Sequence, residues 1–280
     1  MRYKPMLAYP VSDKPINYDD KIFMQPKLDG VRCLIQYDKG KVTAYSRTGK
    51  EWKNIHHITS SLEKWFQSNQ TTVLDGELYN HDLKDDFEKI ISLVRRQTPD
   101  DIDMLESRDL VQFHCYDIIH PDNSKFEDRN RFIKYCVEQS SPYVHVVNSM
   151  LCASDEDAKE IHAVNLACGF EGSILRTNDV YHQKRSHSLR KFKDFHDTEA
   201  TITGWVEGKG KRKGTIGKFL AIDADGVEFG MPVMDNFKYL QKNFRKMQGW
   251  IDKTATFTYF ERTKAGSYRH PLFKCIRDYE

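Results

Sequence analysis

The sequence lacks the features that mark a membrane-spanning, an exported or a thiolate-metal protein. No apolar run in its 280 residues approaches the roughly 20 residues needed to cross a bilayer. The N-terminus has no apolar core of the kind found in secretory signals. None of the six cysteines forms a CxxC pair, so no zinc ribbon or thioredoxin-type site is predicted. We therefore expect an intracellular, cytoplasmic chain without membrane association, whose reduced cysteines mostly fill the core.

A large excess of one charge sign is also missing, because 43 Lys and Arg residues stand against 41 Asp and Glu residues. The charge is nevertheless uneven: from Asp197 onward there are 15 basic and 11 acidic residues. A basic C-terminal third permits a polyanionic partner without requiring one. Hydrophobic residues make up 39% of the chain, which is enough for a folded core and excludes wholesale disorder.

The first two thirds of the chain alternate short apolar runs with turn signals and amphipathic stretches, which predicts a mixed α+β body. The predicted strands cover 21–27, 31–37, 41–46, 73–79, 111–119, 143–148, 171–176 and 189–193. The predicted helices cover 58–67, 87–94, 129–139 and 154–169. Asp29-Gly30 has the composition of a tight hairpin turn.

The pattern changes near Asp197. Five short strands with Gly-rich turns are predicted over 198–208, 215–223, 227–233, 254–261 and 270–276. One helix, built on Phe237, Leu240 and Phe244, precedes the fourth of these strands. This arrangement is typical of a small Greek-key barrel of the OB type. We therefore expect two domains, 1–196 and 197–280.

The sharpest local feature is the sequence KLDGVR, which begins at Lys27. A lysine amine is a nucleophile only when it is neutral, and its usual pKa is about 10.4. Nearby positive charge, partial burial or a metal ion could lower that pKa and activate the amine. Taken alone, the segment is more typical of a hairpin turn that carries a solvated lysine, because Asp-Gly turns are common.

Charged residues interrupt three other predicted strands. Asp75-Gly76-Glu77 lies in an apolar strand, and Glu171-Gly172 begins another. Lys191 and Lys193 alternate on a third strand, so we expect both side chains on one face. Carboxylate oxygens suit Mg²⁺ and ammonium groups suit phosphate oxygens. The joint pattern predicts a site for a metal ion and phosphates.

Six motifs in this order resemble those of the ATP-dependent DNA ligases, a branch of the covalent nucleotidyltransferases. The motifs are KLDGVR, SRTG (46–49), LDGEL (74–78), CYDII (115–119), EGSILR (171–176) and LRKFK (189–193). The C-terminal RHPLF (269–273) also resembles the ligase OB domain. No room is expected before Lys27 for a separate DNA-binding domain. The chain is therefore similar to minimal ligases of viruses, phages and some bacteria, and a phage or viral origin stays open.

The resemblance implies an ATP-grasp-like nucleotidyltransferase domain with mixed antiparallel sheets, followed by a C-terminal OB-fold β-barrel, with the active site in the cleft between them. It implies ATP and Mg²⁺, for which Mn²⁺ could substitute, and nicked double-stranded DNA as partner of a monomeric enzyme. Lys27 would attack the α-phosphate of ATP and form a lysyl-AMP. The AMP would pass to the 5′-phosphate of the nick, and the 3′-hydroxyl would then displace it.

Each site residue follows from this resemblance together with its own chemistry. Arg32 and Arg47 would hold phosphate or ribose oxygens, and Tyr116 would offer an aromatic face to adenine. Lys191 and Lys193 would neutralise charge that builds up on the phosphate. The remaining expectations are Gln25 at the adenine edge, Glu77 at the ribose hydroxyls and as a metal ligand, Glu171 at the metal, and Arg176 at the nick phosphate.

A second DNA contact is predicted in the Gly-rich segment 207–214. The segment is too short to encircle a duplex but carries four positive charges. A loop of this composition can lie on backbone phosphates, although a solvated hairpin turn has the same pattern. The predicted contacts are Lys209, Lys211, Arg212 and Lys213.

Three other functions remain open from the sequence. An mRNA capping guanylyltransferase has the same Lys-x-Asp-Gly motif, but a C-terminal basic RxDK-type motif is missing here because the last residues are IRDYE. RNA ligases often carry Glu-Gly where this chain has Asp29-Gly30. A non-catalytic OB-type binding protein would be expected to have lost Lys27, Glu171 or Lys193, and all three are present.

Overall fold

The computed structural model describes residues 3–84, 86–193, 196–263 and 266–277. The chain forms two compact units, Met1–Phe192 and Lys193–Glu280, whereas the sequence placed the domain boundary between 196 and 197. Residues 1, 2, 85, 194, 195, 264, 265 and 278–280 of the two predicted domains lie outside the described residues. Within the described ranges, no helix is both long and apolar enough to cross a membrane.

The first unit is built from strands and helices in alternation. Its described strands are β1 (Leu7–Pro10), β2 (Ile22–Lys27), β3 (Val31–Asp38), β4 (Lys41–Tyr45), β5 (Val73–Tyr79), β6 (Gln112–Ile119), β7 (Val144–Val146), β8 (Met150–Cys152), β9 (Gly172–Thr177) and β10 (Arg185–Phe192). Its described helices are α1 (His56–Ser61), α2 (Glu63–Ser68), α3 (Phe87–Val94), α4 (Asp101–Leu110), α5 (Phe126–Phe132), which continues as a π-helical turn (Ile133–Val137), and α6 (Asp155–Ala167). Short 3₁₀ turns occupy Val11–Asp13 and His81–Leu83.

These strands form two mixed sheets of five strands each. The first has the order β1-β10-β9-β2-β8 and the second the order β4-β3-β5-β6-β7. The β1/β10 and β6/β7 pairs are parallel and the other pairs are antiparallel. The predicted α+β body is confirmed, and the predicted 73–79 strand coincides with β5.

The Asp29-Gly30 turn does not close a hairpin, so that prediction is wrong. Strand β2 pairs with β8 and β9, and β3 pairs with β4 and β5. The turn instead carries the chain from the first sheet to the second. Lys27 and Arg32, five residues apart in sequence, therefore belong to different sheets.

Three elements of the first unit were not predicted, namely β1, β8 and α4. The two strands are only four and three residues long, and β1 includes a proline. Helix α4 is mostly polar, and it begins at a capping box in which the Asp100 side chain accepts from the backbone amide of Asp103. Local capping therefore starts a helix that apolar periodicity does not indicate.

The second unit is a single antiparallel sheet with two short helices. Its described elements are β11 (His196–Glu207), β12 (Ile216–Ile222), β13 (Glu228–Pro232), α7 (Phe237–Lys242), α8 (Phe244–Gln248), β14 (Thr254–Tyr259) and β15 (Leu272–Ile276), with a 3₁₀ turn at Gly210–Arg212. The strand order is β13-β12-β11-β14-β15. Phe219, Phe257 and Leu240 are fully buried in its core.

The strands of the expected OB-fold β-barrel form an open sheet in the described residues. In the described part of the second unit, β13 and β15 are the edges of the sheet and no ladder pairing joins them. The OB-like order of strands is present without closure by backbone hydrogen bonds. The cysteine expectation needs correction, because Cys33, Cys115 and Cys152 are buried but the other three are exposed, and all six are free thiols.

Candidate active site

A cavity of about 300 Å³ in the first unit receives side chains from both sheets. Strands β2, β9 and β10 supply one group of lining residues, and β3, β5 and β6 supply another. The sequence-predicted residues that line it are Gln25, Lys27, Arg32, Arg47, Glu77, Tyr116, Arg176 and Lys191. Six segments that are distant in sequence thus meet at one cavity.

Lys27 lies at the end of β2 and forms an ion pair with Glu171. The Glu171 side chain is only 4% exposed, whereas that of Lys27 is 22% exposed. The backbone reinforces the pair, because the Glu171 amide donates to the Lys27 carbonyl at 3.1 Å. The amine is therefore oriented by a buried carboxylate while part of its side chain remains accessible.

Gly172 allows this close approach. It pairs with Lys27 in the β2/β9 ladder and has a φ of +145°. A Cβ at this position would lie 2.4 Å from the Phe192 carbonyl oxygen. A side chain would therefore push β9 from β10 and move Glu171 away from the amine.

Arg32 is held by a buried carboxylate on the neighbouring strand. Its Nε and Nη2 atoms each donate to Asp75 at 2.6 Å, and Tyr181 donates its hydroxyl to the same carboxylate at 2.6 Å. Burial by itself would lower the pKa of Arg32, but the Asp75 charge, the neighbouring Tyr116 and Tyr181 and the hydrogen bonds to Asp75 together raise that pKa well above its ordinary value. Arg32 therefore stays charged in a fixed orientation at the cavity.

Glu77 faces the cavity from β5, opposite Arg32 in the β3/β5 ladder. Burial raises its pKa to about 7, against the opposing effects of Arg32, Lys27 and a hydrogen bond from Tyr116. The Tyr116 hydroxyl donates to Glu77 Oε2 at 3.2 Å. The turn before Arg32 packs directly on this residue, since a Cβ on Gly30 would lie 2.7 Å from Glu77 Cγ. Glu77 can thus exchange a proton near neutral pH.

Tyr116 is the extra residue of a β-bulge in β6. Asp75 pairs with Asp117 and Gly76 pairs with Cys115, so Tyr116 has no partner on β5. Bulges redirect side chains and are common beside active sites. The guanidinium carbons of Arg32 and Arg176 lie 5.0 and 5.5 Å from the Tyr116 ring centroid. The ring is therefore held between strands by contacts that local sequence does not reveal.

Arg176, the predicted contact to the nick phosphate, is only 3% exposed. Its Nε donates to Gln25 Oε1 at 2.6 Å and its Nη1 donates to Asp117 Oδ2 at 2.6 Å. Asp117 also accepts from Arg129 Nε at 2.7 Å. The structure therefore brings Arg176 to the inner wall of the cavity, beside Gln25, and not to an exposed surface.

The two lysines of LRKFK are separated. Lys191 lines the cavity, and burial, followed by repulsion from Lys27 and Arg185, lowers its pKa. Lys193 follows the end of β10 and belongs to the second unit, where its ammonium lies 4.4 Å from the centroid of the Phe260 ring. The expectation that both share one strand face does not hold, because the strand ends at Phe192. Arg47 is exposed in the segment after β4 and reaches the cavity rim.

The basic segment of the second unit is a tight turn between β11 and β12. Lys209, Lys211 and Lys213 are exposed. Arg212 is half-buried and donates to the Val233 carbonyl at 2.8 Å. The structure therefore presents three of the four predicted cations to solvent and uses the fourth to anchor the turn.

The sequence placed Asp75 in the expected metal and phosphate pattern and did not single out Asp117, whereas both residues support the site from within. Asp75 and Asp117 are both fully buried and lie opposite each other on β5 and β6. Like charges at such positions repel, and here Arg32 and Tyr181 compensate one while Arg129 and Arg176 compensate the other. An aspartate within an apolar run indicates that a compensating partner is required, but the spacing of the sequence does not show which distant residue that partner is.

Comparison with protein-family models identifies both units. Residues 5–193 match the ATP dependent DNA ligase domain. Residues 207–277 match the DNA ligase OB-like domain. These matches favour neither an RNA ligase nor a capping guanylyltransferase.

Curated relatives carry the name DNA ligase. The chain is 26% identical over 226 residues to a DNA ligase of Halobacterium salinarum. The matched region covers 74% of this chain and 39% of that protein. It is 27% identical over 205 residues to a DNA ligase of African swine fever virus, covering 69% of this chain and 46% of that protein. The chain thus matches less than half the length of these relatives.

Solved structures with the same fold include one described as "DNA binding with a minimal scaffold: Structure-function analysis of Lig E DNA ligases". Its TM-score is 0.78 at 24% identity, and the match covers 99% of this chain and 100% of that one. The ATP-dependent DNA ligase from bacteriophage T7, in complex with ATP, matches with a TM-score of 0.58 at 17% identity over 99% of each chain. At these identities the likeness establishes the fold alone.

Proposed function

The chain belongs to the ATP-dependent DNA ligase family, and from this membership we propose that it seals nicks in duplex DNA through lysyl-AMP and DNA-adenylate intermediates. Lys27 Nζ attacks the α-phosphorus of ATP, and the bond to pyrophosphate breaks. The AMP then moves to the 5′-phosphate of the nick and frees the lysine. Attack by the 3′-hydroxyl joins the strands and releases AMP. We further propose that the protein acts as an intracellular monomer.

The observation that carries this proposal is the pairing of Lys27 with Glu171 at a cavity that Glu77, Arg32 and Lys191 also line. A phosphoramidate requires an amine, and Lys27 is the lysine that ends a strand beside a buried carboxylate. Lys191 adds a second positive charge, which suits an entering polyphosphate. The cavity therefore combines a nucleophile with fixed charges of both signs.

Five of the lining residues, and Lys193 of the second unit, have a proposed role in the first step. Arg32 is pre-oriented by Asp75 and can donate to ribose or phosphate oxygens without reorganisation. Glu77 accepts from the ribose hydroxyls, and Tyr116 supports the base. Lys191 stabilises the charge that develops as pyrophosphate leaves, and we assign Arg47 and Lys193 to phosphate oxygens in the same step.

A divalent ion fits this donor set. No group of three or more His, Cys, Asp or Glu side chains is arranged as a metal cage in the described ranges. Mg²⁺, however, commonly uses one or two carboxylates together with substrate phosphates. Glu171 would hold Mg²⁺ or Mn²⁺, with Glu77 as the second carboxylate. When bound, the ion would withdraw charge from the phosphate oxygens.

Covalent labelling tests the proposal. The protein is incubated with ATP labelled at the α-phosphate and Mg²⁺, and bound AMP is measured after denaturation. Lys27→Ala should abolish labelling and sealing of a nicked duplex, yet retain sealing of a nick that already carries AMP, because that step needs no nucleophilic lysine. Lys21→Ala is the matched control, since Lys21 precedes the same strand but forms an exposed pair with Glu127. Persistent labelling of Lys27→Ala would contradict the assignment.

A further inference from the structure

The amide of Gln25 is fully occupied except at one position. Its Nε2 donates to the Tyr116 carbonyl at 3.1 Å and to Ser149 Oγ at 2.9 Å, and its Oε1 accepts from Arg176 Nε at 2.6 Å. An amide has two N–H donors and two lone pairs on its oxygen. The Gln25 side chain can therefore offer a ligand only one remaining acceptor lone pair.

The surrounding network fixes which way the amide faces. Ser149 donates its hydroxyl to Asn130 Oδ1 at 3.0 Å, so its oxygen must accept from Gln25. A flipped amide would place oxygen against the Tyr116 carbonyl and an N–H group against the Arg176 Nε–H group. Both contacts would be repulsive, which makes the orientation of the amide unambiguous.

Arg176 is itself fixed by Asp117, which is fully buried. Arg129 shares this carboxylate through its Nε at 2.7 Å and its Nη2 at 3.2 Å. Arg129 also donates to the Asp179 carbonyl at 3.0 Å. Among these two arginines, only Arg176 is hydrogen-bonded to Gln25.

We propose that Arg176 is a positioning residue that sets Gln25 as an acceptor-only contact to the purine edge and thereby selects adenine. The inference rests on the proposed use of ATP in this cavity. Gln25 and Lys27 alternate on β2 and both line the cavity, so a nucleotide with its α-phosphate at Lys27 can extend along the strand to Gln25. The exocyclic amino group of adenine is a donor, whereas guanine presents an acceptor carbonyl at the same position.

The test compares ATP with purine riboside triphosphate, which lacks the exocyclic amino group. Labelling rates of the full chain are measured with both nucleotides for the wild type, Arg176→Lys and Arg129→Lys. We expect kcat/KM of the wild type to favour ATP by about tenfold or more, as for a hydrogen bond to a buried partner. Arg176→Lys should reduce this preference to about threefold or less, mainly by raising KM for ATP, while Arg129→Lys should keep it.

Arg129→Lys is a matched control because it disturbs the same buried Asp117 without touching Gln25. Gln25→Leu supplies a second variant that removes the acceptor directly, and it should also lose the preference for ATP. Equal losses with both nucleotides in Arg176→Lys, or an unchanged preference in Gln25→Leu, would overturn the inference. Absence of labelling in the wild type would instead contradict the proposed function.

Discussion

At the residue scale, the chemistry of the site is concentrated in carboxyl groups whose surroundings differ. Asp75 and Asp117 are buried but each is compensated by arginines. Glu77 lies close to Arg32 and Lys27, yet burial raises its pKa to about 7. It is therefore the carboxyl group of the site that we expect to change charge near neutral pH.

This difference predicts how adenylylation depends on pH. Ionised Glu77 can accept from ribose hydroxyls, but protonation converts one of its oxygens into a donor. We expect kcat/KM for ATP to fall by about tenfold per pH unit below the pKa of Glu77, and to level off above it. Glu77→Gln should remove this inflection from the profile of AMP labelling against pH.

A second variant gives the direction of the effect. The hydrogen bond from Tyr116 lowers the pKa of Glu77, so Tyr116→Phe should move the inflection to higher pH. An inflection that persists in Glu77→Gln would belong to another group. A shift to lower pH in Tyr116→Phe would contradict the proposed role of the hydroxyl.

The sequence indicates which residues carry reactive groups more reliably than it indicates what holds them. Eight of the predicted residues line one cavity, and seven of them belong to the six motifs that the sequence marked. The environment of Arg176 could not be predicted, since Asp117 and Gln25 lie 59 and 151 residues away along the chain. Burial of a charged residue depends on such distant partners and has no local pattern.

At the element scale, the meeting of β9 and β10 positions the reactive pair. The two strands pair from Leu189 to Phe192, and Gly172 lies where the Phe192 carbonyl leaves no room for a Cβ. The prediction of strands at 171–176 and 189–193 was close to the observed elements, but the sheet in which each would pair was not predictable. The Asp29-Gly30 turn shows the same limit, because its composition favours a hairpin while the strands beside it pair elsewhere.

A comparison of two glycines tests this role of the strand junction. Gly172→Ala should destabilise the first unit by more than about 2 kcal/mol and reduce AMP labelling, since it combines an unfavourable φ with a clash against backbone. Gly40→Ala is the matched control, because Gly40 has a φ of +84° with no atom within 4 Å of an added Cβ. It should cost about 1–2 kcal/mol. Denaturant unfolding measures the loss of unfolding free energy in both variants. Equal losses would show that the clash at Gly172 is relieved without moving β9.

At the scale of the whole molecule, charge is divided between the two units. The C-terminal third carries the surplus of basic residues noted in the sequence. Several of its cations are neutralised locally, as in the Arg262–Asp223 and Lys274–Asp197 pairs. The exposed lysines of the β11–β12 turn are more available to a polyanion such as DNA.

These lysines give a prediction about DNA binding. If Lys209, Lys211 and Lys213 lie on backbone phosphates, changing all three to Gln should weaken binding to a nicked duplex. The slope of log K against log salt should become shallower by up to about 0.9 per lost contact. Arg212 is left unchanged because it anchors the turn through the Val233 carbonyl, and AMP labelling should survive because that step needs no DNA.

The control must remove the same charge from the same unit. Lys238, Lys242 and Lys246 are exposed on α7 and α8, so changing them to Gln lowers the net charge equally at another place. Long-range attraction depends on net charge. The slope of log K against log salt instead depends on how many phosphates the protein contacts, because each contact releases counterions. We therefore expect this control to retain most of the salt slope. If the slope of log K against log salt becomes equally shallow in both triple variants, the unit attracts DNA by its overall charge. If the slope is unchanged in the turn variant, Lys209, Lys211 and Lys213 do not contact DNA and the segment is a solvated hairpin turn.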